Sequence, residues 1–167
     1  RYKRELYQER VEHIKAVMPH ACIGVDVIVG FPGEKEADFL ETYEFINTLD
    51  VSYLHVFTYS ERANTPAAEM TDVVDMRERR RRNKMLRILS EKKRLAFYQQ
   101  HVGSQRLVLF EQSKEDGLIT GWTDNYIKIK AKGSEYDINS LRLMSLDQMN
   151  VDGSSVEISD AVDSCVK

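Results

Sequence analysis

Tyr7, Val11, Ile14 and Met18 recur at helical spacing and predict an amphipathic helix over residues 5–18, which Pro19 ends. Residues 22–29 (Cys-Ile-Gly-Val-Asp-Val-Ile-Val) are rich in β-branched side chains and barely alternate. Such a run predicts a strand buried on both faces, as in a parallel sheet covered by helices. Gly30-Phe31-Pro32-Gly33 breaks the strand. Residues 34–49 then read as a helix with Phe39, Tyr43 and Ile46 on one side and acids in its first turn, where the helix dipole favours them. A second strand is predicted over 52–59.

The order α-β-α-β implies right-handed crossovers and parallel pairing. Two strands cannot bury both faces of a parallel sheet, so the first 70 or so residues read as the last part of a larger α/β unit, a barrel being one solution, with other strands upstream of Arg1. The absence of a Met at position 1 fits an excerpt of a longer polypeptide. After a loop at 60–71, Asp72 or Asp75 can cap a long helix reaching about Val102, with Gly103 following its end. From Gln105 the character changes to short alternating runs at 107–111, 117–122, 126–131, 140–144 and 155–158, separated by Gly, Asp, Asn and Ser. That is the pattern of a small antiparallel barrel of OB-like size. The expected organisation is an α/β part over 1–102, including the long helix at about 72–102, an all-β barrel over 103–160 and a tail over 161–167.

Composition narrows the class. The chain has 167 residues, of which 42% are hydrophobic, enough for packed cores. No apolar run approaches the roughly 18–20 residues of a membrane span, no signal-peptide stretch opens the chain, and no membrane partner is expected. Two cysteines, Cys22 and Cys165, are too few for a disulfide framework or a four-cysteine zinc site, so a reducing, cytoplasmic setting is expected. The net charge of −3 hides a strong asymmetry. Residues 1–76 carry 7 basic against 14 acidic side chains, residues 77–98 carry 10 against 2, and residues 99–167 carry 7 against 11. A helix-length basic segment between acidic ones points to a polyanion, with an acidic neighbouring domain as the rival partner.

Four places can carry chemistry. Gly30–Gly33, between a strand and a helix, lets backbone approach a ligand and aim N–H groups at it, although a plain tight turn has the same composition. The run His55-Val-Phe-Thr-Tyr-Ser-Glu-Arg-Ala-Asn-Thr-Pro66 gathers aromatic, hydroxyl and guanidinium groups at the end of the next strand, where α/β folds hold ligands. Arg62 can equally pair with Glu61 or Glu34. The basic helix is third: Arg77, Arg79–Arg82, Lys84, Arg87 and Lys92–Arg94 surround almost its whole cylinder and leave Met85, Leu86, Leu89 and Ala96 for packing. Fourth, strand period places Lys128, Lys130 and Lys132 on one face and Ile127, Ile129 and Ala131 on the other, next to Trp122, Asn125 and Tyr126. Aligned lysines beside aromatics can contact phosphate and stack bases.

Three stretches in order, Asp26–Glu34 (DVIVGFPGE), Tyr59–Ala67 (YSERANTPA) and Gly121–Lys128 (GWTDNYIK), resemble the radical-SAM methylthiotransferases. The resemblance covers residues 1 to about 160 and implies the C-terminal part of a partial (β/α) radical-SAM barrel followed by a TRAM domain, a small RNA-binding β-barrel. The Thr-Asp-Asn-Tyr-Ile-Lys stretch resembles the branch acting on tRNA that carries threonylcarbamoyl-adenosine beside the anticodon. By this resemblance Gly30, Phe31, Pro32, Gly33 and Glu34 lie beside S-adenosylmethionine, and Phe57, Thr58 and Tyr59 lie where such enzymes hold its adenine. Arg62 and Thr65 fall on a recurrent motif without an assigned role. Trp122, Asp124, Asn125, Tyr126 and Lys128 are implied to face the tRNA anticodon stem-loop, with Lys130 and Lys132 on the same strand.

The family's chemistry needs two 4Fe-4S clusters, one held by a Cys-x-x-x-Cys-x-x-Cys loop. Neither cysteine of this chain lies in that spacing, so the cluster loops are expected in the missing N-terminal part of the same polypeptide and the excerpt alone is expected to be inert. Three rivals remain: a sister methylthiotransferase acting on a ribosomal protein, a non-enzymatic RNA-binding protein, and a phosphate-binding barrel enzyme using the Gly30–Gly33 loop.

Overall fold

The computed structural model describes residues 3–112, 117–132 and 138–160, and the chain divides into two compact units, Arg1–Arg94 and Leu95–Lys167. The expected tail at 161–167, with Cys165, lies outside the described residues.

In the first unit the order is α1 (Arg4–Val17), β1 (Gly24–Val29), α2 (Glu36–Thr48), β2 (Tyr53–Thr58), a 3-10 turn at Pro66–Glu69, and α3 (Met76–His101) as far as Arg94. β1 and β2 pair in parallel, with Val25 opposite Leu54, Val27 opposite Val56 and Val29 opposite Thr58. This row faces the core, where Val11 of α1, Phe39 and Ile46 of α2, and Leu86 and Leu89 of α3 pack against it. The opposite row pairs Gly24 with Tyr53, Asp26 with His55 and Ile28 with Phe57, and it is uncovered. Ile28 is 60% and Phe57 52% exposed. β1 is therefore buried on one face, not two: its β-branched run looks uniform, yet only alternate positions meet helices.

α3 finishes the sheet at β2. The Leu54 N–H donates to Ser90 Oγ at 2.8 Å and Ser90 Oγ donates to the Leu54 carbonyl at 3.1 Å, while Asn83 Nδ2 donates to Thr58 Oγ1 at 3.1 Å. Side chains of a helix thus take the place of a neighbouring strand along that edge. At the start of α3 the Asp75 carboxylate accepts from the Arg77 N–H at 2.8 Å, the capping role open to either Asp72 or Asp75 in the sequence.

In the second unit, five strands form a closed barrel: β3 (Gln105–Gln112), β4 (Leu118–Thr123), β5 (Lys128–Lys132), β6 (Leu141–Met149) and β7 (Val156–Asp160), in the order β3-β4-β5-β7-β6. The barrel is mixed, not wholly antiparallel. β5 and β7 run parallel and meet at Ile129 and Val156. An odd number of strands cannot alternate direction all the way round, so one parallel seam is forced. Val108, Phe110, Ile127, Ile129, Leu146 and Val156 fill the interior, all fully buried. Gly103 turns the chain out of α3 at φ +83° and its N–H donates to the Leu146 carbonyl at 2.7 Å.

Gly121 sits where β4 crosses β3: a Cβ there would come within 2.5 Å of the Leu109 carbonyl oxygen, a backbone atom that cannot step aside. Gly121→Ala should cost about 1–3 kcal/mol, read as a lowered denaturation midpoint in the fluorescence of Trp122, the single tryptophan.

Candidate functional site

Two loops close over the C-terminal ends of β1 and β2. The first is Gly30–Gly33, whose terminal glycines have φ +79° and +86°. A Cβ on Gly30 would lie 2.4 Å from Cγ of Arg79, so the residue supplies both the left-handed turn and room for that side chain. The loop's N–H groups turn inward: Gly30 donates to Glu34 Oε2 at 2.6 Å, Gly33 to the Asp72 carbonyl at 2.7 Å and Glu34 to the Phe31 carbonyl at 3.0 Å. The expectation that this loop aims free N–H groups at a ligand does not hold for these three residues. The Glu34 carboxylate takes the place an anion would fill.

Two buried arginines of α3 hold the loops. Arg82, 4% exposed, donates to the Glu34 carboxylate at 2.7 Å and to the Glu34 carbonyl at 3.0 Å, and it also bonds Glu78 at 3.0 Å. Arg79, 1% exposed, donates to the carbonyls of Val74 and Tyr59 at 2.8 and 3.0 Å and to Glu61 at 2.6 Å. Arg81 bonds Glu36 at 2.6 Å and Glu78 at 2.5 Å. Glu61 and Glu34, the acids open to Arg62, are thus engaged by α3. Much of the basic excess at the start of α3 is matched inside the unit by acids of the β1–α2 and β2–α3 connections. Acids of the same unit, neither a polyanion nor a neighbouring domain, thus meet Arg79, Arg81 and Arg82.

Above the open row of the sheet lies a cavity of about 490 Å³ whose walls include Ile28, Phe57, Thr58, Tyr59, Arg62 and Thr65. Phe31 stacks edge-on against Tyr59 with ring centres 5.3 Å apart, and the guanidinium of Arg79 lies 5.4 Å from the Tyr59 ring centre. The Tyr59 hydroxyl is enclosed without a hydrogen-bond partner among the described residues. Thr65 Oγ1 donates to the Arg62 carbonyl at 2.8 Å and fixes the turn that presents Arg62, the one charged side chain on the cavity wall among the described residues. An aromatic-walled cavity with a guanidinium on its wall suits a ligand with a planar base and an anionic end. The structure thus gathers Phe57, Thr58 and Tyr59 on one wall with Phe31 packed behind, while Gly30, Gly33 and Glu34 form the frame beneath.

The barrel carries the second group. Thr123 to Ile127 form a tight turn in which Thr123 Oγ1 donates to Asn125 Oδ1 at 2.7 Å and accepts from the Ile127 N–H at 2.8 Å. Asn125 is 7% exposed, so it builds the turn and does not face outward. Tyr126, at φ +62°, is thrown out to 69% exposure, with Trp122 6.4 Å away between ring centres. Lys128 stands opposite Trp122 in register, Lys130 opposite Thr120 and Lys132 opposite Leu118, all on the outer face. Asp124 lies 3.7 Å from Arg106. Lys130 and Lys132 also line a groove of about 900 Å³ whose other wall carries Asp152 and Glu157. The strongest outward pairing of aromatics with positive charge is therefore Trp122, Tyr126 and Lys128.

Among the described residues no three His, Cys, Asp or Glu side chains gather to hold a metal ion. Burial pushes the half-buried Cys22 thiol up, against the pull of a Ser52 hydrogen bond. One protonated thiol does not fit an iron–sulfur cluster.

No family model matches the chain. Curated proteins do. It is 38% identical over 139 residues, 81% of this chain and 31% of the relative, to the threonylcarbamoyladenosine tRNA methylthiotransferase MtaB of Bacillus subtilis. It is 41% identical over 133 residues, 79% of this chain and 31% of the relative, to the protein of the same name in Aquifex aeolicus. To the tRNA-2-methylthio-N(6)-dimethylallyladenosine synthase of Desulfitobacterium hafniense it is 36% identical over 144 residues, 84% of this chain and 32% of the relative. This chain belongs to the methylthiotransferase family. It spans about a third of the length of these relatives. No helix among the described residues is long and apolar enough to cross a membrane.

Sequence reasoning placed Arg79 and Arg82 on a basic helix surface and overlooked them as organisers of the site. Their signal was spacing: 79, 82, 86 and 89 make one helical stripe, and Leu86 and Leu89 already marked its buried side. Arg82→Ala should destabilise the first unit by about 3 kcal/mol, since it strands a half-enclosed carboxylate, measured by denaturant unfolding. Glu78, hydrogen-bonded first by Arg81, is pulled down from 4.5 to about 2. Its stabilisation is therefore complete above pH 4.5 and lost as the pH falls towards 2. The unfolding midpoint should drop across that window, and Glu78→Gln should flatten the drop.

Proposed function

We propose that this chain is the C-terminal portion of a radical-SAM tRNA methylthiotransferase that adds a methylthio group to C2 of threonylcarbamoyl-adenosine beside the anticodon. The observation that carries the reading is the aromatic-walled cavity at the end of β2, lined by Phe57, Tyr59, Arg62 and Thr65 with Phe31 of the neighbouring loop against Tyr59, in a chain whose relatives bear tRNA methylthiotransferase names. The naming of two relatives for the threonylcarbamoyladenosine substrate supports that branch over the dimethylallyl one.

In this reading residues 1–102 are the last strands and helices of the radical-SAM barrel, and the uncovered face of β1 and β2 is its interior. Residues 103–160 are the TRAM-like barrel and 161–167 the tail. S-adenosylmethionine, when bound, supplies the methyl and radical chemistry of the reaction. The residues of this chain bind and orient it: Ile28, Phe57 and Tyr59 offer apolar and aromatic surface to the adenine, Arg62 offers two parallel N–H donors to a carboxylate, and Arg82 through Glu34 keeps the Gly30–Gly33 loop clear of the cavity. The clusters belong to the rest of the polypeptide, and the chain alone is inert. Trp122 and Tyr126 stack on unpaired bases of the anticodon stem-loop while Lys128, Lys130 and Lys132 follow its phosphates. The compartment is the cytoplasm, where tRNA is modified.

The chain should bind an anticodon stem-loop with an affinity that falls steeply as salt rises, measured by fluorescence anisotropy. Lys128→Glu combined with Lys130→Glu should weaken binding several-fold and flatten the salt dependence. Binding indifferent to ionic strength, or unchanged in the double variant, removes the barrel from tRNA recognition.

A further inference from the structure

Asp26 and His55 are Cα partners in the register of β1 and β2, in the middle of the uncovered row. Both are exposed, and neither makes a hydrogen bond or ion pair among the described residues. The His55 and Tyr53 rings meet in a T-shaped contact, with centres 4.9 Å apart and planes at 89°. The next pair along the row is Ile28 and Phe57, both in the wall of the 490 Å³ cavity. At a strand rise of about 3.3 Å per residue, the acid and the imidazole lie about 7 Å below that wall on the same face.

This pairing is unlike its surroundings. On the covered row, Val25, Val27, Val29 and Leu54 are all buried apolar residues. On the open row, two hydrophobic side chains at the cavity are followed by an acceptor-only carboxylate beside a group that can donate or accept. Exposed apolar surface next to a bare acid–imidazole pair is the composition of a ligand site, in which apolar walls supply contact and a few polar groups supply orientation. Solvent alone would explain the polar pair but not Ile28 and Phe57.

We infer that Asp26 and His55 form the polar floor of this site and bind a ligand group that presents two adjacent hydrogen-bond donors. A carboxylate accepts such a pair with both oxygens, and the neighbouring imidazole takes the remaining lone pair or proton of the same group. Two sources carry that chemistry on an adenosine ligand: the 2′,3′-diol of a ribose and the ureido N–H groups of a carbamoylated adenine. The inference rests on the proposed nucleoside-binding role of the β1–β2 cavity and adds two residues without an assigned contact: Asp26, which opens the first matched stretch, and His55, which lies outside all three.

The test is NMR titration of the 167-residue chain with adenosine, 2′,3′-dideoxyadenosine and N6-threonylcarbamoyladenosine, following the His55 ring, the Asp26 amide and the Phe57 ring. At least one of the two hydroxylated nucleosides should move all three signals. Its affinity should fall about fivefold in Asp26→Asn and in His55→Gln, the loss of one net hydrogen bond. A loss of the same size with the dideoxy compound assigns the floor to the diol. A gain seen only with the threonylcarbamoyl compound assigns it to the ureido group. Shifts at Phe57 with affinities unchanged in both variants overturn the inference and leave the cavity reading standing. No shift at any of the three residues overturns both. Because Asp26 and His55 are outside the core, the variants keep their fold; the methyl resonances of Val27 and Leu54 report it in the same spectra.

Discussion

The first unit depends on a chain of three groups: the Arg82 guanidinium, the Glu34 carboxylate and the Gly30 N–H. A buried guanidinium is tolerated only when its donors are met, and here they are met by a side-chain carboxylate, a carbonyl and a second acid. The same carboxylate spans the turn and closes it. Helix, loop and strand end are thereby fixed by one shared ion pair, and Arg79 repeats the arrangement at the neighbouring loop through Tyr59 and Glu61. The cavity at the end of β2 takes its shape from these two clamps, since its walls are the residues the clamped loops carry.

Much of the architecture was legible in the chain. Helical spacing at 7, 11, 14 and 18 and the Gly-Pro breaks located α1, β1, α2 and β2 to within a few residues, because period and turn chemistry are local properties. The five short runs after Gln105 each became a barrel strand. Burial of β1 was misread because Val and Ile fit either face of a pleated strand, and only the positions of the helices decide which alternate residues are covered. The parallel seam between β5 and β7 was equally invisible, since closure of the barrel is a property of all five strands together.

The site was legible in its chemistry but not in its division of labour. By composition Gly30–Gly33 reads equally as a ligand loop or a plain tight turn, and the N–H groups of Gly30 and Gly33 are occupied by the Glu34 carboxylate and the Asp72 carbonyl. Ten basic residues on one helix looked like an electrostatic surface, yet Arg79 and Arg82 are among the most buried side chains of the unit. Charge counting along a sequence cannot see a partner that is 48 residues away, as Glu34 is from Arg82. Asn125 shows the same limit in the barrel. It stands between two outward residues in a motif that reads as a contact surface, and folds inward to hold the turn that exposes Tyr126.

Ser90 meets the backbone N–H and carbonyl of Leu54, and Asn83 donates to the Val56 carbonyl, along the outer side of β2. A sheet terminated by its own helix in this way can be extended in one direction only, beyond β1. That polarity forbids edge-to-edge association through β2, so two copies of the unit cannot zip together along that margin, and it dictates the side from which any additional strand must arrive.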